Sequence, residues 1–265
     1  MPVSPRIRKY DHVLLDLDGC LWVGDDACEG AAEAVTALRE AGAKVLFLTN
    51  DVRHAPEDFV RKLWRLGFQA SLAEVVTVGA ALQFHLSGRD RGSAYVVGSD
   101  ALIDHVAQAG LRVVNNTEFA TRADLVVVAD HQGFNYVELR VATQAVLRGA
   151  RLIGLTRDRT FPMPDGPWPG TGALLAAVET ACDRTADEVV GKPEPGMYDT
   201  ARDRLGEGRV LAIGDRLDVD VEGARRAGMD SALVLTGATE AAEAAAAKPS
   251  PTFVADSLAA LVLTS

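Results

Sequence analysis

The chain has 265 residues, 48% of them hydrophobic and 24% charged, with a formal net charge of −10. That length and hydrophobic share suit one large or two modest globular domains with a substantial core. So acidic a surface excludes nucleic acid and an anionic membrane as the main partner, although a local site can still be positive enough to hold an anionic small molecule.

Cys20, Cys28 and Cys182 form no CxxC pair. This pattern argues for a reducing compartment and against a disulfide framework or a zinc site. Cys20 reads as a small buried hydrophobe rather than a redox sensor. The first residues lack the apolar core of a signal peptide, and no segment approaches the ~20 apolar residues of a membrane helix. A soluble, cytoplasmic protein is expected.

Taken in order, Val13–Leu15 is a short apolar run that ends in Asp16 and Asp18, followed at once by Gly19. Such a run reads as a buried parallel strand, and in open α/β sheets ligands sit beyond the carboxyl ends of these strands. Trp22–Gly30 reads as loop and Ala31–Ala41 as a helix stopped by Gly42. Ala43–Leu48 is a second strand, and Pro56 with Glu57 and Asp58 starts a helix that runs to Leu66. This is the β-α-β-α order of a parallel sheet. The middle repeats it, with strands at Ala94–Val97, Leu111–Val114, Leu125–Val128 and Leu152–Leu155. Helices follow Ser99 and span Tyr136–Arg148 and Ala173–Cys182. Thr160–Gly172, rich in Pro and Gly, is a loop. The last third returns to short units: helices at Pro195–Leu205 and Val219–Ala227, strands at Val210–Ile213 and Ala232–Leu235, a helix at Ala238–Ala247, and a closing strand and helix over Phe253–Leu263.

Four stretches carry candidate chemistry. Asp16 and Asp18 stand two apart, so an extended backbone puts them on one side of the chain. Close like charges are costly unless a cation joins them or one takes a proton. Thr49 and Asn50 end the second strand with neutral donors suited to an oxyanion. Lys192 stands in Gly191-Lys-Pro-Glu-Pro just before a helix start, where it can act as a fixed point charge for phosphate. Asp215, Asp218 and Asp220 follow a buried strand and lead into a helix. Each stretch alone has a plain explanation: a solvated turn, a surface lysine, or acids favoured at a helix N-terminus. Together they place paired acids, a hydroxyl and a lysine at the carboxyl ends of strands. Oxygen donors of this kind suit Mg²⁺ better than zinc, and the set is what phosphoryl transfer requires.

The order DLDGC, LTN, GKPEP and GDRLDVDVEGA resembles motifs one to four of the haloacid dehalogenase superfamily. The last two, with Arg159-Thr160-Phe161-Pro162 and Pro169-Gly170-Thr171-Gly172, resemble its class IIA, NagD-like (p-nitrophenylphosphatase-like) branch. The resemblance implies that Asp16 is a nucleophile forming an aspartyl-phosphate and that Asp18 is its acid and then its base. It implies that Thr49, Asn50 and Lys192 hold the phosphoryl group. It implies that Asp16, the carbonyl of Asp18 and Asp215 bind Mg²⁺, with Asp220 behind them orienting water and Asp218 the least committed acid. Asp18 separates phosphatases from dehalogenases, which lack this acid.

The fold expected is α/β: a Rossmann-like, doubly wound parallel sheet core with an inserted α/β cap. Motif two ends near Asn50 and motif three begins near Gly191, far more chain than one crossover needs. The core is expected at residues 1–78 and 186–265 and the cap at 79–185. Asp130, His131, Arg157 and Trp168 are the candidates for reading the leaving group. The function expected is hydrolysis of a small phosphorylated metabolite such as a sugar phosphate, glycerol phosphate, phosphoglycolate or nucleotide. A phosphomutase or phosphotransferase of the same fold and a non-catalytic phosphometabolite-binding protein are the alternatives, and the resemblance adds homodimerisation through the cap. Leu155-Thr156-Arg157-Asp158 and Asp51 depart from the family pattern, which weakens any transfer of a relative's substrate preference.

Overall fold

The structure is a computed structural model that describes residues 2–88, 92–161, 163 and 165–264. Pro162 of the Arg159–Pro162 signature therefore lies outside the described residues. The chain opens with β1 (His12–Asp16), the hairpin strands β2 (Trp22–Val23) and β3 (Asp26–Ala27), α1 (Ala31–Glu40), β4 (Lys44–Thr49), α2 (Pro56–Arg65) and β5 (Val75–Thr77). An insertion follows, with α3 (Val78–Leu86), β6 (Ser93–Val97), α4 (Asp100–Gln108), β7 (Arg112–Val113), β8 (Leu125–Val128), α5 (Tyr136–Leu147) and β9 (Arg151–Gly154). It continues through β10 (Thr160–Phe161), β11 (Trp168–Pro169), α6 (Thr171–Cys182) and β12 (Glu188–Val189). The return comprises α7 (Gly196–Leu205), β13 (Val210–Gly214), α8 (Glu222–Arg226), β14 (Asp230–Val234), α9 (Ala241–Ala246), β15 (Phe253–Ala255) and α10 (Leu258–Val262).

Two compact units result: Met1–Thr49, Pro56–Val76 and Lys192–Ser265 form one, and Asn50–Ala55 with Thr77–Gly191 form the other. The first holds a six-stranded sheet in the order β15-β14-β13-β1-β4-β5. β1 pairs in parallel with both β13 and β4. Flanked on each side and covered on both faces, its residues His12–Leu15 are all buried, as a run of successive apolar residues in a central parallel strand requires. α1 buries Ala31, Ala34, Val35 and Leu38, the spacing of one helical face, and Gly42 at φ 92° closes its end.

The second unit has its own five-stranded sheet, β12-β9-β8-β6-β7, with Val126, Val128, Leu152 and Leu175 fully buried in its core. It reaches Gly191 rather than residue 185 because β12 pairs with β9 and the Gly191 N–H donates to Leu155 O at 2.7 Å. A two-residue strand has no periodicity to read, and the hairpin pairs β2–β3 and β10–β11 in the expected loops escape for the same reason. The helix expected at Val219–Ala227 shortens to α8, preceded by a π-type turn at Leu217–Val221. Such turns interrupt helices where a side chain must be re-aimed; here the Asp220 carboxylate turns back to accept from the Arg216 N–H at 3.1 Å.

Residues 50–55 join the second unit through side chains. Asn50 Nδ2 donates to Asp158 at 3.2 Å, and the Arg53 guanidinium lies 4.0 Å from the Phe161 ring centroid. Asp51 accepts from the Arg53 N–H at 2.7 Å, from Arg53 Nη2 at 2.6 Å, and meets His54 Nδ1 at 3.0 Å. Burial opposes its charge, yet His54 and Arg53 bring the Asp51 pKa down to about 2. Because the folded value lies below the unfolded one, this stabilisation is complete above pH ~4 and is lost as pH falls through ~2. Asp51→Asn is expected to cost about 2 kcal/mol at pH 7, with wild type and variant converging in urea titrations repeated down to pH 2.

Candidate active site

Register sets the site. Leu15 pairs with Ile213 and Asp16 with Leu48, so β1, β13 and β4 end level and deliver Asp16, Asp215 and Thr49 to one carboxyl edge of the sheet. Lys192 enters as the chain rejoins the first unit, just ahead of α7. Its side chain is only 3% exposed. Nζ donates to Asp16 Oδ1 at 2.5 Å and to Asp220 Oδ1 at 2.7 Å. Tyr198 Oη donates to the Asp220 main-chain oxygen at 3.2 Å, tying the acid's backbone to α7.

Asp16, Asp215 and Asp220 each place a carboxylate oxygen within 4.8 Å of the others. Burial pushes the Asp16 carboxyl well above its ordinary range against the pull of Lys192, and Asp220 and Asp215 push it the same way. Burial also raises Asp215, opposed by the Ala238 N–H. For Lys192, burial alone would favour the neutral amine; Asp16 and Asp220 outweigh it and hold the pKa well above the usual lysine value.

One ammonium against this carboxylate trio leaves negative charge uncompensated in a buried place, which is costly without a further cation. The donor set fits one, since all-oxygen carboxylate ligands suit a hard divalent ion. The backbone is shaped to the same end. Asp215 Oδ2 accepts from the Ala238 N–H at 2.6 Å. A Cβ on Gly237 would lie 2.0 Å from that oxygen and one on Gly19 2.3 Å from it, with Gly19 also at φ +81°. Thr236 Oγ1 donates to the Gly19 carbonyl at 2.6 Å, locking the turn after β1. Thr236, Gly237 and Ala238 were missed in the sequence. Their signal was only positional: they too follow an apolar strand, β14, at this edge of the sheet.

Of the expected residues, Asp16, Lys192, Asp215 and Asp220 converge, and Thr49 lies buried at the end of β4. Asp220 stands closer to the chemistry than expected, as a direct partner of Lys192. Asp18 is exposed, and its carboxylate stands outside the trio, accepting from Trp22 Nε1 at 2.7 Å. Asp218 turns to solvent and pairs with Arg216 at 2.9 Å. The Asn50 amide is committed to Asp158 in the second unit.

Each substrate-reading candidate has a local partner within the second unit. Asp130 Oδ1 accepts from Thr171 Oγ1 at 2.6 Å, and His131 lies 3.2 Å from Glu138. Arg157 pairs with Glu179 at 2.9 Å, and Trp168 Nε1 donates to Asp165 at 2.8 Å. Among the described residues no hydrogen bond joins any two of these four. No described helix is long and apolar enough to cross a membrane.

The chain is similar to known proteins. A haloacid dehalogenase-like hydrolase family model matches residues 13–112, and a HAD-hydrolase-like model matches residues 189–261. D-glycerol 3-phosphate phosphatase of Mycobacterium tuberculosis is 34% identical over 258 residues, covering 96% of this chain and 71% of that protein. The sugar-phosphatase AraL of Bacillus subtilis is 33% identical, covering 91% of this chain and 87% of its own. A crystal structure of the mycobacterial glycerol phosphate phosphatase in complex with calcium superposes with a TM-score of 0.89 at 34% identity, covering 97% of this chain and 76% of that one. The same enzyme has also been solved with magnesium. With every one of its four motifs brought to a single sheet edge and relatives alike over nearly its whole length, this chain belongs to the haloacid dehalogenase-like hydrolases, in their class IIA, NagD-like branch.

Proposed function

We propose that the protein is a Mg²⁺-dependent phosphatase of small phosphomonoesters, of the sugar phosphate or glycerol phosphate kind, acting through an aspartyl-phosphate on Asp16. The observation that carries this reading is the Lys192 ammonium bridging Asp16 and Asp220 at 2.5 and 2.7 Å beside Asp215. A carboxylate repels a phosphate dianion; fixed positive charge at the nucleophile removes that barrier. Asp16, the main-chain oxygen of Asp18 and Asp215 would hold the metal, with Asp220 beside them. When bound, the ion supplies the remaining charge neutralisation for the phosphoryl oxygens.

The chain's own residues then act in two steps. A carboxylate oxygen of Asp16 bonds to phosphorus while the bond to the leaving oxygen breaks and Asp18 delivers a proton to it. In the second step Asp18 takes a proton from water, whose oxygen attacks phosphorus and expels Asp16. Thr49 and Lys192 orient the phosphoryl oxygens, with the backbone at Asn50. The inserted unit is the cap that selects the leaving group. Asp18 supports hydrolysis over mere binding, because a binder gains nothing from an acid set against a leaving group.

The test is turnover of p-nitrophenyl phosphate. With Mg²⁺ the protein releases nitrophenolate; with excess EDTA the rate falls at least about a hundredfold, since the ion is asked for several kcal/mol of charge stabilisation. Readdition of Mg²⁺ restores it. Undiminished turnover in EDTA would refute the metal-dependent reading.

A further inference from the structure

We infer that Trp22 is a positioning residue that fixes the orientation of the Asp18 carboxyl during phosphoryl transfer. This rests on the proposed role of Asp18 as acid and base. Trp22 is wholly buried, yet its Nε1–H donates to the exposed Asp18 at Oδ1, 2.7 Å away. The indole is itself held. Lys62 Nζ stands 4.5 Å from the ring centroid and donates to the Gly24 carbonyl at 2.9 Å. Arg65 pairs with Asp25 at 2.9 Å, so the β2–β3 hairpin is fastened to α2 at two points. The Gly19 N–H donates to the Trp22 carbonyl at 2.7 Å and closes the turn between the two side chains.

An indole N–H can donate but cannot accept. Asp18 Oδ1 is therefore held as the acceptor, and because a carbonyl oxygen accepts better than a hydroxyl oxygen, the proton is favoured on Oδ2. Among the described residues Oδ2 has no hydrogen-bond donor. The same oxygen thus gives its proton to the departing alkoxide as the phosphorus–oxygen bond breaks and takes one back from water as the aspartyl-phosphate is cleaved. Because the Trp22 bond survives both steps, Asp18 need not change rotamer between them. Without the bond, the carboxyl rotates freely at the surface and its acid is misdirected for part of the time.

The loss should scale with how much the leaving group needs a proton. The experiment compares kcat/KM, which covers steps up to departure of the leaving group, across substituted phenyl phosphates in the Mg²⁺-loaded enzyme. Nitrophenolate leaves unaided, whereas phenolate, with a conjugate acid near pKa ~10, benefits from the acid. For Trp22→Phe we expect kcat/KM to fall at least about tenfold further on phenyl phosphate than on p-nitrophenyl phosphate, a part of the 10²–10⁴ that a general acid supplies. Should Trp22→Phe fail to fold, benzothienylalanine at position 22 keeps the shape and removes only the donor, and the same split is expected. Equal losses on both substrates, or none, would overturn the inference and leave Trp22 a packing residue. A wild type inactive on the whole series would instead refute the phosphatase reading on which it stands.

Discussion

Asp16→Asn is expected to remain folded while turning over p-nitrophenyl phosphate at least about 10⁴-fold more slowly, the scale of loss when a nucleophile is removed. The amide cannot form the phosphoenzyme, because its oxygen is a poor nucleophile and its nitrogen is no leaving group for water to displace. The fold should survive because the side chain's structural job is to accept from Lys192, and an amide oxygen still accepts. It also removes one of the acids that Asp215 and Asp220 crowd. The stability change is therefore expected within about 1 kcal/mol, against the rule that most buried substitutions cost more. Thermal unfolding with and without Mg²⁺ completes the test: the metal-induced rise in Tm shrinks in the variant, since one ligand carboxylate is gone. Turnover within tenfold of wild type would remove Asp16 from the nucleophile's role.

Much of this site was legible because its chemistry sits where strands end. Val13–Leu15, Ala43–Leu48 and Val210–Ile213 announce themselves as apolar runs, and in a parallel sheet the charged residues after them all lie at one edge. What stayed hidden was carried by groups without a sequence signature. The Ala238 N–H that holds Asp215 belongs to backbone, which every residue has. The bond from Trp22 to Asp18 has no sequence signature either, since Trp22 reads only as the first residue of a loop. The two-residue strands β2, β3, β10, β11 and β12 are too short for any period to show. The second unit is less legible for another reason: Asp130, Arg157 and Trp168 are candidates by residue type alone, and the structure gives each a local partner in Thr171, Glu179 or Asp165. Residue type finds groups able to bind a ligand; it does not say which are already spent on the fold.

Lys192→Met should produce the largest loss of stability in the molecule. Methionine nearly matches the lysine stem in length and removes only the charge, so packing at this 3%-exposed side chain is preserved. What remains is Asp16 and Asp220 facing Asp215 with no ammonium between them, and breaking a buried ion pair by deleting one partner costs about 3–5 kcal/mol. For units of this size that is a fall in Tm on the order of 10 °C, measured in EDTA. Activity should vanish with it, because the charge that admits a phosphate dianion to Asp16 is gone. The electrostatic account differs from a packing account in two further outcomes. Millimolar Mg²⁺ should recover part of the lost Tm, since it partly neutralises the same carboxylates. Adding Asp220→Asn to Lys192→Met should cost less than the sum of the two single changes, because an acid that has lost its cation is better replaced by a neutral amide. If Mg²⁺ gives no recovery and the double variant is simply additive, the lysine is filling space and the charge balance built around it is wrong.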